Sequence, residues 1–423
     1  MTPALSLLKA ANWLKLGRMK RLPLYTFLAA NAISMIGNNL TMVAVPWFVL
    51  ETTGSAAKTG LVGFFTALPA VLAAFFGGTL VDRLGYKRMS IISDLASGVT
   101  VAIIPLLYLT IGLQFWQLLL LVFLSALLDA PGNTARQALL PDLAALTATP
   151  PERVNAWQQT IQRLAILIGP AVAGLLITWL GSSQVLWLDA ASFMVSALLF
   201  ALAVPAGQVK GEVAAGYLEQ LRAGLRFVRG SRLILALVLT VAITNFLDSP
   251  LFAVVLPVYT QQIYGGAAQL GLLLSTFGAG AVMGGLVFGA VGHRLPRRIT
   301  FIALFVLVGL PFWLLALAPP FPVAVAALLW TGLVAGPLNP LLMTVFQERI
   351  PAEMRGRVFG MLTAIALVAA PLGMVLTGYL VENLTVTTTL LIIAACYLLV
   401  TLGQLFNPAL REMDSPPAAP NYV

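Results

Sequence analysis

Four carboxylic acids lie inside otherwise apolar, helix-length stretches: Asp94, Asp129, Asp189 and Asp248. A charge at the centre of a bilayer costs at least ~2.5–3.5 kcal/mol, so each acid is a functional candidate by default. A carboxyl that is neutral in one conformation and ionised in another carries a proton across a membrane. Asp129 and Asp248 are the proton-coupling candidates. Asn245, Asp248 and Phe252, with offsets of three and seven, share one helical face, and Pro250 and Pro257 make that helix bendable. Asp129 precedes Pro131-Gly132, so a role in that helix break is its competing reading. Asp94 lies near one helix end, where pairing with a loop arginine gives it a structural role. Asp189, near the opposite end of its own helix, reads the same way.

Neutral polar groups supply the rest of the candidate cavity. Asn31, Ser34, Asn38 and Thr41 fall on one face of the first helix, with Asn39 adjacent. Amides in lipid must face protein or water. They either bond a substrate or knit this helix to the fifth, which carries Gln158, Gln159, Gln162 and Arg163. Arg163 is read as the basic group well inside a helix, placed to pair with Asp129 or to meet an anionic substrate. Asn339 is a further cavity candidate. Other chemistry lacks material. With a single His and a single Cys, no metal site, P-loop or nucleophile–His pair is visible, and no cofactor is expected.

The elements that must position these groups follow from composition. Of 423 residues, 60% are hydrophobic and 9% charged, with a mean hydropathy of +0.95. Soluble domains carry about 25% charged residues. The apolar excess falls in continuous runs long enough to cross ~30 Å of hydrocarbon, which excludes both a soluble enzyme and a β-barrel of short alternating strands. Twelve spanning helices are expected, at roughly 23–50, 56–80, 88–111, 115–138, 157–179, 184–204, 233–258, 268–291, 299–318, 322–346, 358–380 and 386–406. Every one of the 24 Lys and Arg residues except Lys58 then falls on one side of the membrane, Arg136, Arg153 and Arg163 being assigned to one connection. That asymmetry assigns the side to the cytoplasm, with both termini there and the chain in a bacterial inner membrane. The net charge of +9 is thus a lipid-facing feature and not a nucleic-acid footprint. The basic start of the chain reads as a cytoplasmic lead-in.

The longest connection holds an amphipathic stretch. Leu218, Leu221, Leu225 and Val228 face one way, and Arg222, Arg226 and Arg229 the other. It divides the chain into 1–205, a linker at 206–232, and 233–423 with a frayed tail. The two halves repeat. Ala70, Ala74 and Gly78, followed by Asp82-Arg83-Leu84, recur 211 residues later as Ala281, Gly285 and Gly289, followed by His293-Arg294-Leu295. Gln137-x-x-x-Pro141 recurs as Gln347-x-x-x-Pro351 at an offset of 210. The small-residue rows themselves read as helix packing. His293, where the first copy has Asp82, reads as a helix-end residue, with a pH-sensing role as the alternative.

Gly78-Thr79-Leu80-Val81-Asp82-Arg83-Leu84-Gly85-Tyr86-Lys87-Arg88 closely resembles the loop signature of major facilitator transporters, matching at Gly78, Leu80, Asp82, Arg83, Gly85, Lys87 and Arg88. The resemblance implies an all-α membrane protein with two six-helix bundles related by pseudo-two-fold symmetry. It also implies substrate binding between the halves, helices 1, 4, 7 and 10 around the cavity, and a cytoplasmic gate at the signature loop. The 31–94 segment, with Thr53-Gly54-Ser55-Ala56, together with Gln137–Asp142 and Gly356–Phe359, resembles the enterobactin-exporter and macrolide-efflux branch. Gly169-Pro170 with Gly174 resembles the antiporter motif of drug–proton exchangers, and a packing kink is its plainer reading. One departure stands out: such exchangers carry an arginine midway along helix 4, and Leu118 to Ala130 has none. The expectation is a monomeric secondary transporter, with protons and a small molecule as partners. It would export lipophilic or amphipathic compounds by proton-coupled alternating access. The alternative is an uptake carrier for a small nutrient, although the cavity hydrogen bonders are sparse for a sugar.

Overall fold

The computed structural model describes residues 3–205, 217–351 and 354–414. Helices make up nearly all of it: α1 Pro3–Thr53, α2 Ala56–Leu84, α3 Tyr86–Leu109, α4 Phe115–Leu146, α5 Pro151–Leu180 and α6 Ser182–Ala203. Then come α7 Tyr217–Gly230, α8 Arg232–Pro250, α9 Leu256–Tyr259, α10 Ala267–Val291, α11 Arg297–Ala316, α12 Phe321–Ala335, α13 Leu338–Arg349, α14 Arg355–Asn383 and α15 Val386–Gly403. Among the described residues, ten helical stretches are long and apolar enough to cross a bilayer. The 29-residue helices α2 and α14 accompany them.

Local chemistry sets the boundaries. Gly85 takes φ +79°, a conformation that costs a side-chain-bearing residue, and turns the chain from α2 into α3. Gln114 and Gln117 form a reciprocal capping box at the start of α4, and Ser231 and Thr385 cap α8 and α15. Two helices are interrupted. Pro250 and Pro257 lack amide donors, and π-helical turns fill Leu251–Val255 and Thr260–Tyr264 on either side of α9. Gly336-Pro337 separates α12 from α13.

One expected boundary moves. Helix 4 is expected to end near residue 138, and Arg136, two residues before that end, is counted with the cytoplasmic connection. The helix instead runs to Leu146, because Leu139, Leu140, Leu143 and Ala144 form an apolar stripe buried in a core with Leu24, Phe27 and Phe200. Arg136 is therefore a buried helical residue, 2% exposed.

The chain forms two compact units that cut across the sequence halves. The first holds Met1–Thr41, Leu72–Ala165 and Ser183–Val213, and the second Met42–Val71, Ile166–Ser182 and Ala214–Val423. Helices α1, α2 and α5 are divided because their ends remote from the α2–α3 turn pack with the C-terminal helices. In the second unit Tyr397 of α15 lies edge-on to Phe312 of α11, with ring centroids 5.5 Å apart. The amphipathic stretch is α7, with Val228 buried and Arg222, Arg226 and Arg229 exposed.

Candidate functional site

The first unit encloses a charged network. The Nη2 atom of Arg136 donates to Asp94 Oδ1 and lies 3.8 Å from Asp129 Oδ1. Its Nη1 donates to Ser34 Oγ at 3.1 Å, and its guanidinium stands 5.7 Å from the centroid of the Phe200 ring. The other oxygen of Asp94 accepts from Ser196 Oγ at 2.7 Å. Asp129 Oδ2 accepts from Asn133 Nδ2 at 2.7 Å and from Asn38 Nδ2 at 3.4 Å, while Asp129 Oδ1 accepts no hydrogen bond. Arg136 is thus committed to Asp94, and Asp129 holds the looser pairing. A guanidinium between two carboxylates stays compensated whether or not Asp129 carries a proton.

Asp189 stands apart from that pair. It is fully buried on α6 and accepts from Thr41 Oγ1 at 2.5 Å and Ser192 Oγ at 3.3 Å. Helix α1 comes this close because Gly37 has no side chain: a Cβ there would lie 2.3 Å from Asp189 Oδ1.

Several expectations need correction. Arg163 is exposed, and the cation beside Asp129 is Arg136. The first helix is knitted to α4, not to Gln158 and Gln162: Ser34 and Asn38 bond Arg136 and Asp129. Asn31 and Asn39 turn back on their own helix, to Met35 Sδ and the Met35 carbonyl. Gln158 Oε1 is buried without a hydrogen bond, and Gln162 is half-buried. The apparent lack of an arginine in helix 4 came from looking only between Leu118 and Ala130 and counting Arg136 with the connection that follows. Asp129, Asn133 and Arg136, with offsets of four and seven, already share a face, and that spacing was the missed signal. Ser196 and Ser192 carried no signal, because hydroxyls are common in membrane helices.

The second unit holds a cavity of about 410 Å³ between α8, α11, α13 and α14. Asn245, Asp248 and Asn339 supply its polar lining, and Phe305, Phe346 and Phe359 its aromatic walls. No cation lies within ion-pairing distance of Asp248 among the described residues. Asn339 reaches the cavity because the Gly336-Pro337 break starts α13 just before it. Phe252 does not line it. The π-helical turn after Pro250 changes the angular step, and the Phe252 ring packs instead on Phe277, with centroids 4.6 Å apart.

The antiporter-type kink also lies in the second unit. A Cβ on Gly174 would fall 2.4 Å from the Ala267 carbonyl, and one on Gly271 only 2.2 Å from the Pro170 carbonyl. The backbones of α5 and α10 therefore touch. Ser275 Oγ accepts from the Ala171 N–H at 2.9 Å across the same contact. Gly169 and Pro170 are both buried. At the signature loop, Gly85 makes the turn, Lys87 donates to the Ala201 carbonyl at 2.9 Å, and Arg88 is exposed. The surroundings of Gly78 and the side chains of Asp82 and Arg83 lie outside the described residues, and so does any gate pairing they make.

Buried charge on membrane helices, with a largely apolar cavity in the second unit, is the pattern of a solute transporter. The fold agrees. The solved nucleoside transporter NupG superposes with a TM-score of 0.77 at 13% identity, covering 90% of this chain and 98% of that one. A D-xylose–proton symporter gives 0.70, also at 13%, covering 92% and 98%. The family model described as transmembrane secretion effector matches residues 21–422, and the chain belongs to that family of the major facilitator superfamily. Its relatives include the multidrug efflux pump Tap of Mycobacterium tuberculosis, 33% identical over 403 residues, or 94% of this chain and 96% of that protein. Macrolide efflux protein A of Streptococcus pyogenes is 22% identical over 414 residues, covering 96% and 99%.

Proposed function

We propose that this chain is a twelve-span secondary transporter, not an enzyme, that exports lipophilic or amphipathic small molecules from the bacterial cytoplasm in exchange for protons. The observation that carries the direction is the near full-length similarity to Tap and to the macrolide efflux protein. The placement of basic residues supports cytoplasmic termini.

The geometry supports a division of labour. Asp129, loosely paired with Arg136, serves as the proton-exchanging carboxyl of the first unit. Arg136 stays anchored by Asp94, so proton gain or loss at Asp129 changes the charge of the first unit's buried cluster without stranding a buried cation. Asp248 serves the second unit. It sits in the cavity wall without a cation partner, where it takes either a proton or the polar end of a substrate. The phenylalanines around it receive the apolar body. Close contact of α5 with α10 keeps one end of the pathway shut. Alternation follows when the proton and the substrate compete for the form that opens it.

The test is accumulation of a lipophilic cationic dye, a macrolide and a catechol siderophore in an efflux-deficient bacterium expressing the chain. Lower accumulation of one compound, restored by a protonophore, is expected. Unchanged accumulation of all three, or protonophore-insensitive export, overturns the reading.

A further inference from the structure

The Thr53-Gly54-Ser55-Ala56 segment joins α1 to α2 at the end remote from the signature loop. Gly54 has φ +64° and reverses the chain, and Thr53 Oγ1 accepts from the Ser55 N–H at 3.3 Å. Ser55 Oγ then accepts from the Lys58 N–H at 3.1 Å, capping α2. The next free amide of that helix is not satisfied locally. The Ala57 N–H donates to Oε2 of Glu382, at the far end of α14, at 3.1 Å. Ser55 Oγ donates to the same carboxylate, 3.0 and 3.1 Å from its two oxygens. The negative charge thus sits on the positive end of the α2 dipole and joins residues 327 positions apart in sequence.

Just inside this cap the two helices are as close as backbones allow. A Cβ on Gly60 would lie 2.4 Å from the Met374 carbonyl and 3.0 Å from Gly378 Cα. Parting α2 from α14 therefore breaks the Glu382 cluster, with no side chain to bridge the gap. Glu382 is exposed, so water replaces its partners when it lets go. Such a contact releases at modest cost. Glu51, on the same side, bonds Ser182 and Trp47 instead.

We propose that Glu382 is a positioning residue of the transport cycle: its carboxylate latches the N-terminus of α2 to α14, and the latch parts each time this end of the pathway opens. The proposal rests on the alternating-access reading above.

The test uses the full-length protein with Cys396→Ala and Thr59→Cys. Thr59 lies behind the latch and is fully buried, and Cys396 is exposed on α15. A membrane-impermeant thiol reagent is applied from the latch side. In this background Glu382→Ala should raise the labelling rate at position 59 roughly fivefold, as expected for losing an exposed charge-assisted cluster. Ser55→Ala should raise it too, and the double variant should fall short of the combined single effects, because the Ser55–Glu382 hydrogen bonds are lost in both while the Lys58 cap and the Ala57–Glu382 bond are each lost in one. Separately, Ser55→Cys with Glu382→Cys, bridged by a short reducible thiol cross-linker, should stop export until reductant is added. Unchanged labelling in Glu382→Ala, simple addition of the two single effects, or continued export by the bridged protein overturns the latch. Lack of export by the unbridged background defeats the transport reading instead, and the proposal falls with it.

Discussion

At the residue scale, the charges are unequal. Arg136 is held by Asp94 and Ser34 through its two Nη atoms, its Nε having no partner, and removing it leaves Asp94 buried without a cation. Arg136→Ala should therefore cost roughly 3–5 kcal/mol and lower the melting temperature of the detergent-solubilised protein markedly. Asp94→Asn with Arg136→Gln should recover part of that loss, since the buried charges go together. Asp129→Asn is different: it keeps the shape and an acceptor for Asn133 but cannot exchange a proton. The variant should fold, let substrate equilibrate downhill, and fail to drive it uphill. Uphill export by both Asp129→Asn and Asp248→Asn would refute the coupling assignment. In the second unit, Asn339→Ala should raise KM for export several-fold, whereas Phe252→Ala should leave it unchanged, because only the first side chain lines the cavity. The acids were legible from sequence because an ion in an apolar run is costly. The partner of Asp129 was legible seven residues along its own helix, whereas those of Asp94 and Asp189 come from other helices and left no mark on the sequence.

At the element scale, what matters is where helices break and where they touch. Helix α4 continues through Pro131 and Pro141 because the stripe around Leu139 and Leu143 is worth more when buried than those prolines cost. The Gly169-Pro170 element of α5 presses on α10 through Gly174 and Gly271. Gly271→Leu should force the two helices apart, hold that end of the pathway open and abolish export while the protein still folds. Thiol labelling at position 59 reads the first effect, and melting temperature checks the second. The signature-loop turn at Gly85 and the π-helical turns beside Pro250 and Pro257 show the same logic. Gly and Pro mark the interruption in the sequence, but the form it takes depends on the neighbouring helix.

At the scale of the whole molecule, proton-coupled export has a sign. Protons enter as substrate leaves, so at fixed internal pH the rate of uphill export should rise as external pH falls. It should collapse when the two sides are equalised. Reconstituted vesicles with an imposed pH step measure this directly, and a rate that ignores the step would exclude proton exchange. Apolar runs longer than a bilayer is thick leave a chain one soluble choice fewer and one membrane choice more. That is why fold class, the half-length repeat and the family resemblance could be read from residue order alone. Those properties come from composition and short-range periodicity, and no distant contact changes them. The tertiary structure alone decided that Arg136 meets Asp94, that Asn339 but not Phe252 faces the cavity, and that Glu382 reaches back to Ser55. Each joins residues far apart in sequence, or depends on a helix bending by a fraction of a turn. The free energies that settle such contacts, a few hydrogen bonds and some close packing, leave no periodic mark on the chain.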